Sequence, residues 1–66
     1  MIDVIIADDS AFLRQILKEV LEREGKIRVI GQAKNGKEAV ELVKALRPHV
    51  LILDCEMPGM HGLEAL

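Results

Sequence analysis

Two apolar runs, each ending in acid, organise the pattern of this chain: Val4-Ile5-Ile6-Ala7 leads into Asp8-Asp9, and Val50-Leu51-Ile52-Leu53 leads into Asp54. A strand buried on both faces reads as an unbroken apolar run, and such strands belong to parallel sheets. The pattern predicts a first strand over Ile2–Ala7 and a third over Val50–Asp54. Between them the period changes. Leu13, Ile16, Leu17, Val20 and Leu21 repeat at i, i+3, i+4, i+7 and i+8, which predicts a helix from about Ala11 to Glu24 with this stripe toward the core. Asp9 or Ser10 is placed to cap it, and Gly25 stands where a helix C-terminal glycine is expected. Ile27–Ala33 reads as a second strand, interrupted by Arg28 as an edge strand tolerates. Asn35-Gly36 could turn a hairpin, but Ala39, Val40, Val43 and Leu46 keep helical spacing, and Asn35 with Glu38 resembles a capping box. A second helix over about Gly36–Leu46 follows, stopped by Pro48. Met57-Pro58-Gly59 begins a loop, and Gly62–Leu66 reads as the first turn of a third helix.

Strand, helix, strand, helix, strand makes parallel βαβ units with right-handed crossovers. The fold class is α/β. Placing strand three beside strand one gives the order 2-1-3 of a doubly wound, flavodoxin-like sheet, with the switch point between strands one and three. Asp8, Asp9 and Asp54 then converge at one sheet edge. Converging carboxylates repel, and a hard divalent cation such as Mg²⁺ relieves the repulsion. Any one of these acids alone is better read as a turn former or helix cap. The adjacent pair, joined by a third acid after a second buried strand, is hard to explain that way.

Composition narrows the function classes. Half of the 66 residues are apolar, which excludes a disordered tail, and Phe12 is the sole aromatic residue, so the core must be aliphatic. Net charge is −2 with no basic run, so nothing suggests nucleic-acid binding by these residues. No apolar run approaches the roughly 20 residues of a membrane span, and no signal peptide opens the chain. One cysteine permits no internal disulfide; a reducing cytoplasm is expected, with Cys55 a free thiol. A chain this short supplies only about 3–5 kcal/mol from its core, so a metal, self-association or unusually good packing is needed.

Four motifs carry a resemblance: Val4-Ile5-Ile6-Ala7-Asp8-Asp9-Ser10, Asn35-Gly36-Lys37-Glu38-Ala39, Leu51-Ile52-Leu53-Asp54 and Met57-Pro58-Gly59-Met60-His61-Gly62. In this order they look like the receiver domain of two-component response regulators. The resemblance implies a CheY-like fold and a role for each acid. Asp54 takes the position of the phosphoacceptor. Asp9 and Asp54 match the direct Mg²⁺ carboxylates, Asp8 matches the acid that binds through water, and Glu56 would contribute its backbone carbonyl. The implied donor is a phosphohistidine on a sensor histidine kinase, or a small phosphodonor. Asp9-Ser10-Ala11-Phe12-Leu13-Arg14 with Asp54-Cys55-Glu56-Met57-Pro58 is similar to the receiver of chemotaxis methylesterases. Ile6-Ala7-Asp8-Asp9 with Met57-Pro58-Gly59-Met60 is also similar to regulators with a helix-turn-helix output; the methylesterase type is favoured slightly.

Some positions depart from the family pattern. His61 stands where the loop usually has Asp, and His49 where Asp is common; a solvated loop residue and a turn residue are the simpler readings. Cys55 reads as a small core residue rather than a nucleophile. A phosphatase with a nucleophilic aspartate is a weaker alternative: it would use an acid two residues on, here Glu56, but Asp8-Asp9 suits a receiver better. The chain is expected not to be an enzyme on its own.

A whole receiver has five parallel strands in the order 2-1-3-4-5, and residues 1–66 reach just past the third. The Ser or Thr after strand four and the Lys after strand five that the family uses are therefore absent. Mg²⁺ binding weaker than in a whole receiver and slow or absent phosphorylation are expected. Strand three is left as an edge, which templates pairing with another chain. A homodimer or higher assembly is expected there, either as a six-stranded sheet 2-1-3-3′-1′-2′ or by exchange of elements. The alternative function is a self-associating structural fragment, natural or engineered, in which the acids are idle.

Overall fold

The computed structural model describes residues 1–53. The predicted third-helix turn at Gly62–Leu66 and the loop from Met57 lie outside the described residues. The order is β1 (Ile2–Ala7), α1 (Ala11–Glu22), β2 (Ile27–Ala33), α2 (Gly36–Leu46) and β3 (Val50–Leu53). All strands are parallel in one sheet of order β2-β1-β3, the 2-1-3 order of the flavodoxin-like placement. The last residue predicted for strand three, Asp54, lies outside the described residues.

β1 is the central strand and carries the core. Val4, Ile5, Ile6 and Ala7 are all buried, and Ile5 and Ile6 are fully enclosed. Alternation assigns the two sheet faces. A side chain built at Gly31 would meet Leu42 and Leu46 of α2 and Ile5 of β1, and Ala33 packs with Ala7 and Ala39. Gly31, Ala33 and Ile5 therefore face α2. Gln32, between Gly31 and Ala33, turns the other way and bonds Arg14 of α1. The helices lie on opposite faces, as a doubly wound sheet requires. Small residues at Gly31, Ala33 and Ala39 let α2 seat close to the sheet: a Cβ at Gly31 would sit 3.2 Å from Leu46 Cδ1.

α1 departs from the sequence expectation. It ends at Glu22 rather than Glu24, because Gly25 adopts φ +76° and its N–H closes on the Glu22 carbonyl at 3.1 Å. Its apolar stripe is only partly turned to the core. Leu17 and Leu21 are half-buried, whereas Leu13, Ile16 and Val20 are exposed, as is Phe12 just outside the stripe. Periodicity correctly reports an apolar face, but among the described residues nothing covers half of it.

Side chains tie the edge strand β2 to its neighbours. The β1–β2 register slips between Val4 and Ile5, so Ile30 is an extra residue. Beside the slip, the Val29 N–H is taken by Glu22 Oε2 at 2.9 Å. Arg28 sits opposite Asp3, and its guanidinium donates to Asp3 Oδ1 at 2.9 and 3.1 Å. An exposed pair of this kind is worth at most about 1 kcal/mol.

α2 has a modified capping box. Asn35 Oδ1 accepts the Glu38 N–H at 2.9 Å, but Glu38 returns its carboxylate to the Lys34 N–H, one residue further back than the usual partner. At the other end Arg47 takes φ 49°, ψ 63°, a left-handed conformation that costs a side-chain-bearing residue about 1 kcal/mol, and Pro48 follows directly. Arg47→Gly is therefore expected to stabilise the chain by about 0.5–1 kcal/mol. A urea titration checks this as a raised midpoint at unchanged slope; a lowered midpoint would contradict it.

Candidate functional site

The acids sit at the carboxyl edge of the sheet, in the turn from β1 to α1. Ala7 of β1 pairs in register with Leu53 of β3. Asp8 follows the first in sequence and Asp54 follows the second. The edge is level at this point, which is where ligands bind in open parallel sheets.

Asp8 and Asp9 are adjacent in sequence but differ in environment. Asp8 is buried, with 7% of its surface exposed, and Asp9 is exposed. The Asp8 N–H continues the sheet ladder by donating to the Ala33 carbonyl at 3.0 Å. Its carboxylate oxygen Oδ1 accepts the Ser10 N–H at 2.8 Å, forming a tight Asx turn. Ser10 then caps α1: its Oγ accepts the Leu13 N–H at 3.2 Å and its carbonyl accepts the Arg14 N–H. Of the two residues the sequence offered as cap, Ser10 does it. Among the described residues neither Asp8 nor Asp9 forms an ion pair.

A buried carboxylate without a counter-charge is costly unless an ion or further donors compensate it. Two adjacent carboxylates, one buried and one exposed, supply hard oxygen donors of the kind Mg²⁺ accepts. They do not form a complete site alone: among the described residues no three metal-ligating side chains gather. The third acid of the predicted set, Asp54, and the carbonyl donor Glu56 lie outside the described residues, as do Cys55 and His61.

Two side chains were not legible for what they do: Arg14 beside the acidic turn, and His49 at the opposite, amino-terminal edge of the sheet. Arg14, in the second turn of α1, donates from Nη1 to the Asp8 carbonyl and from Nε to Gln32 Oε1 at 3.3 Å. His49 is not merely a turn residue. Its Nδ1 accepts the Asp3 N–H at 2.9 Å while its own N–H donates to the Asp3 carbonyl at 2.8 Å, joining the start of β3 to β1. A groove of about 410 Å³ between β2 and α2, lined by Gln32, Glu38, Glu41, Leu42 and Ala45, includes neither acid. Among the described residues the candidate site is thus a sheet edge outside that groove.

Comparison with known proteins agrees with this geometry. A sequence model of the response regulator receiver domain matches residues 4–66. The protein-glutamate methylesterase/protein-glutamine glutaminase of Methanococcus maripaludis is 52% identical over 64 residues, covering 97% of this chain and 18% of that protein. The protein of the same description from Bacillus subtilis is 47% identical over 66 residues, covering 100% of this chain and 18% of its own length. The chain thus spans less than a fifth of these curated relatives. Among solved structures, the response regulator domain of Thermotoga maritima CheB superimposes with TM-score 0.90 at 45% identity, covering 98% of this chain and 48% of that one. The receiver domain of the putative response regulator NarL from Mycobacterium tuberculosis also reaches TM-score 0.90, at 38% identity, covering 97% of this chain and 52% of that one. The slight preference for the methylesterase type over other regulators agrees with the relatives named. With a parallel 2-1-3 sheet, a buried acid at the end of β1 and a family match over residues 4–66, this chain belongs to the response regulator receiver domain family.

Proposed function

We propose that this chain is the phosphoacceptor portion of a two-component receiver, taking a phosphoryl group on Asp54. The observation that carries the reading is the level edge, Ala7 against Leu53, with Asp8 buried beside it and without an ion pair among the described residues. Asp8, Asp9, Asp54 and the Glu56 carbonyl would hold Mg²⁺, which when bound supplies positive charge for the oxygens of the transferring group. The Asp54 carboxylate attacks phosphorus as the bond to the donor breaks, from phosphohistidine on a sensor kinase or from a small acyl phosphate. The rest of the reading is a cytoplasmic setting, no nucleic acid bound by these residues, and self-association through β3. No helix among the described residues is long and apolar enough to cross a membrane.

Magnesium titration tests this reading against one in which the acids are idle. Saturable binding of MgCl₂ that is lost in Asp54→Ala supports a retained site. A flat titration, or one unchanged in Asp54→Ala, favours idle acids in a self-associating fragment. Incubation with an acyl phosphate and MgCl₂ reads the transfer directly: phosphate on the chain that is absent in Asp54→Ala supports the phosphoacceptor role.

A further inference from the structure

Among the described residues Arg14 is the cationic side chain that reaches the backbone of the acidic turn. One guanidinium nitrogen donates to the carbonyl of Asp8, and another donates to Gln32 on β2. Among the described residues it forms no ion pair with Asp8 or Asp9. Its charge is directed at a peptide oxygen, so both carboxylates stay available.

We propose that Arg14 is a positioning residue for the acidic site, fixing the Asp8–Ser10 turn so that both carboxylates are presented to a cation. The proposal rests on the Mg²⁺ reading above. The chain's own order explains the arrangement. The Asp8 peptide carbonyl belongs to the peptide that leads into Asp9, so a donor held on it restricts where the Asp9 side chain starts. Gln32 braces the guanidinium from the sheet, and the sheet also holds the Asp8 N–H through Ala33. The turn is therefore clamped at both ends of Asp8, by the β2 ladder at its N–H and by α1 at its carbonyl. A guanidinium can serve two acceptors in a fixed fork, which a lysine ammonium cannot reproduce.

Charge and geometry make opposite predictions here, so the test has a sign. Arg14→Ala removes a positive charge near the acids; if Arg14 acted only through its charge, Mg²⁺ would bind more tightly. If it positions the turn, Mg²⁺ binds more weakly, by roughly tenfold or more, as for other groups that orient metal ligands. The experiment titrates MgCl₂ into the full chain by calorimetry and follows amide hydrogen exchange at Ser10 and Leu13, all under conditions where each variant is folded by circular dichroism. The expected result is weaker Mg²⁺ binding in Arg14→Ala, no rescue in Arg14→Lys, a smaller loss in Gln32→Ala, and faster Ser10 exchange in all three. Tighter or unchanged Mg²⁺ binding in Arg14→Ala, or full rescue by Arg14→Lys, would overturn the proposal. If the unsubstituted chain binds no Mg²⁺, the phosphoacceptor reading fails separately, and exchange decides: Ser10 protection unchanged in Arg14→Ala overturns the clamp, and protection lost in it supports the clamp.

Discussion

Ile5→Ala is expected to leave the chain without a cooperative unfolding transition at room temperature. Ile5 has no exposed surface and lies in the central strand, between β2 and β3 and beneath α2. Removing its outer carbons costs transfer free energy and opens a cavity, together about 2–5 kcal/mol. A core of this size supplies only about 3–5 kcal/mol. The cavity is poorly placed to collapse, because Ile5 is held by strand neighbours on both sides. Ile2→Ala serves as the control: Ile2 belongs to the same strand but is 45% exposed, so its loss should stay below about 1 kcal/mol. Urea titration followed by circular dichroism checks both. A cooperative transition in Ile5→Ala shifted by less than about 1 kcal/mol would mean that β1 is not the core.

The features legible in the sequence are those set by local rules. β1 announces itself because a strand buried on both faces needs an unbroken apolar run, and Val4–Ala7 is one. α2 was recognisable despite Asn35-Gly36, because helical spacing from Ala39 to Leu46 outweighs a two-residue turn signal. Right-handed crossovers leave both 1-2-3 and 2-1-3 open; the order 2-1-3 comes from placing strand three beside strand one as in a flavodoxin-like sheet. What stayed hidden depends on contacts between distant residues. The spacing of Leu13, Ile16 and Val20 shows that α1 has an apolar face, but spacing carries no information on what covers it. The extra residue at Ile30 leaves no local mark, nor does the Glu22 carboxylate that takes the Val29 N–H across the α1–β2 turn.

At the site the division is similar. Asp8 and Asp9 stand out because acid directly after a buried run is an unusual juxtaposition. Arg14 does not stand out, because an arginine off the apolar stripe of a helix is ordinary. Only the fold shows that it turns back over the β1–α1 turn to a carbonyl six residues earlier in the chain. Away from the site, at the amino-terminal edge of the sheet, His49 is hidden for a similar reason: its bond to the Asp3 N–H spans 46 residues and joins the start of β3 to β1. Both are side chain to backbone bonds, which a motif of residue types does not record.

The chain of 66 residues is expected to self-associate at micromolar concentration, and the two surfaces that could drive this are separable by substitution. Among the described residues β3 pairs only with β1, so its other side presents unpaired N–H and C=O groups beside Val50, which is 45% exposed. On α1, Leu13, Ile16 and Val20 form an exposed apolar strip; full burial is worth about 1.5–3 kcal/mol for each such side chain, against several kcal/mol lost in association. Pairing of β3 edges adds a row of hydrogen bonds that the α1 strip cannot offer, and it extends an existing sheet in register. The edge should therefore set the dimer, and the strip should add to larger species. Val50→Lys places a charge on the edge and is expected to weaken dimerisation at least about tenfold, the equivalent of 1.4 kcal/mol. Ile16→Lys combined with Val20→Lys should leave the dimer and remove the larger species, and because both residues are exposed the fold should tolerate the change. Light scattering across a concentration series reads both. A compact monomer for the unsubstituted chain would overturn self-association, and a dimer that survives Val50→Lys but is lost with the α1 pair would move the interface to the helix.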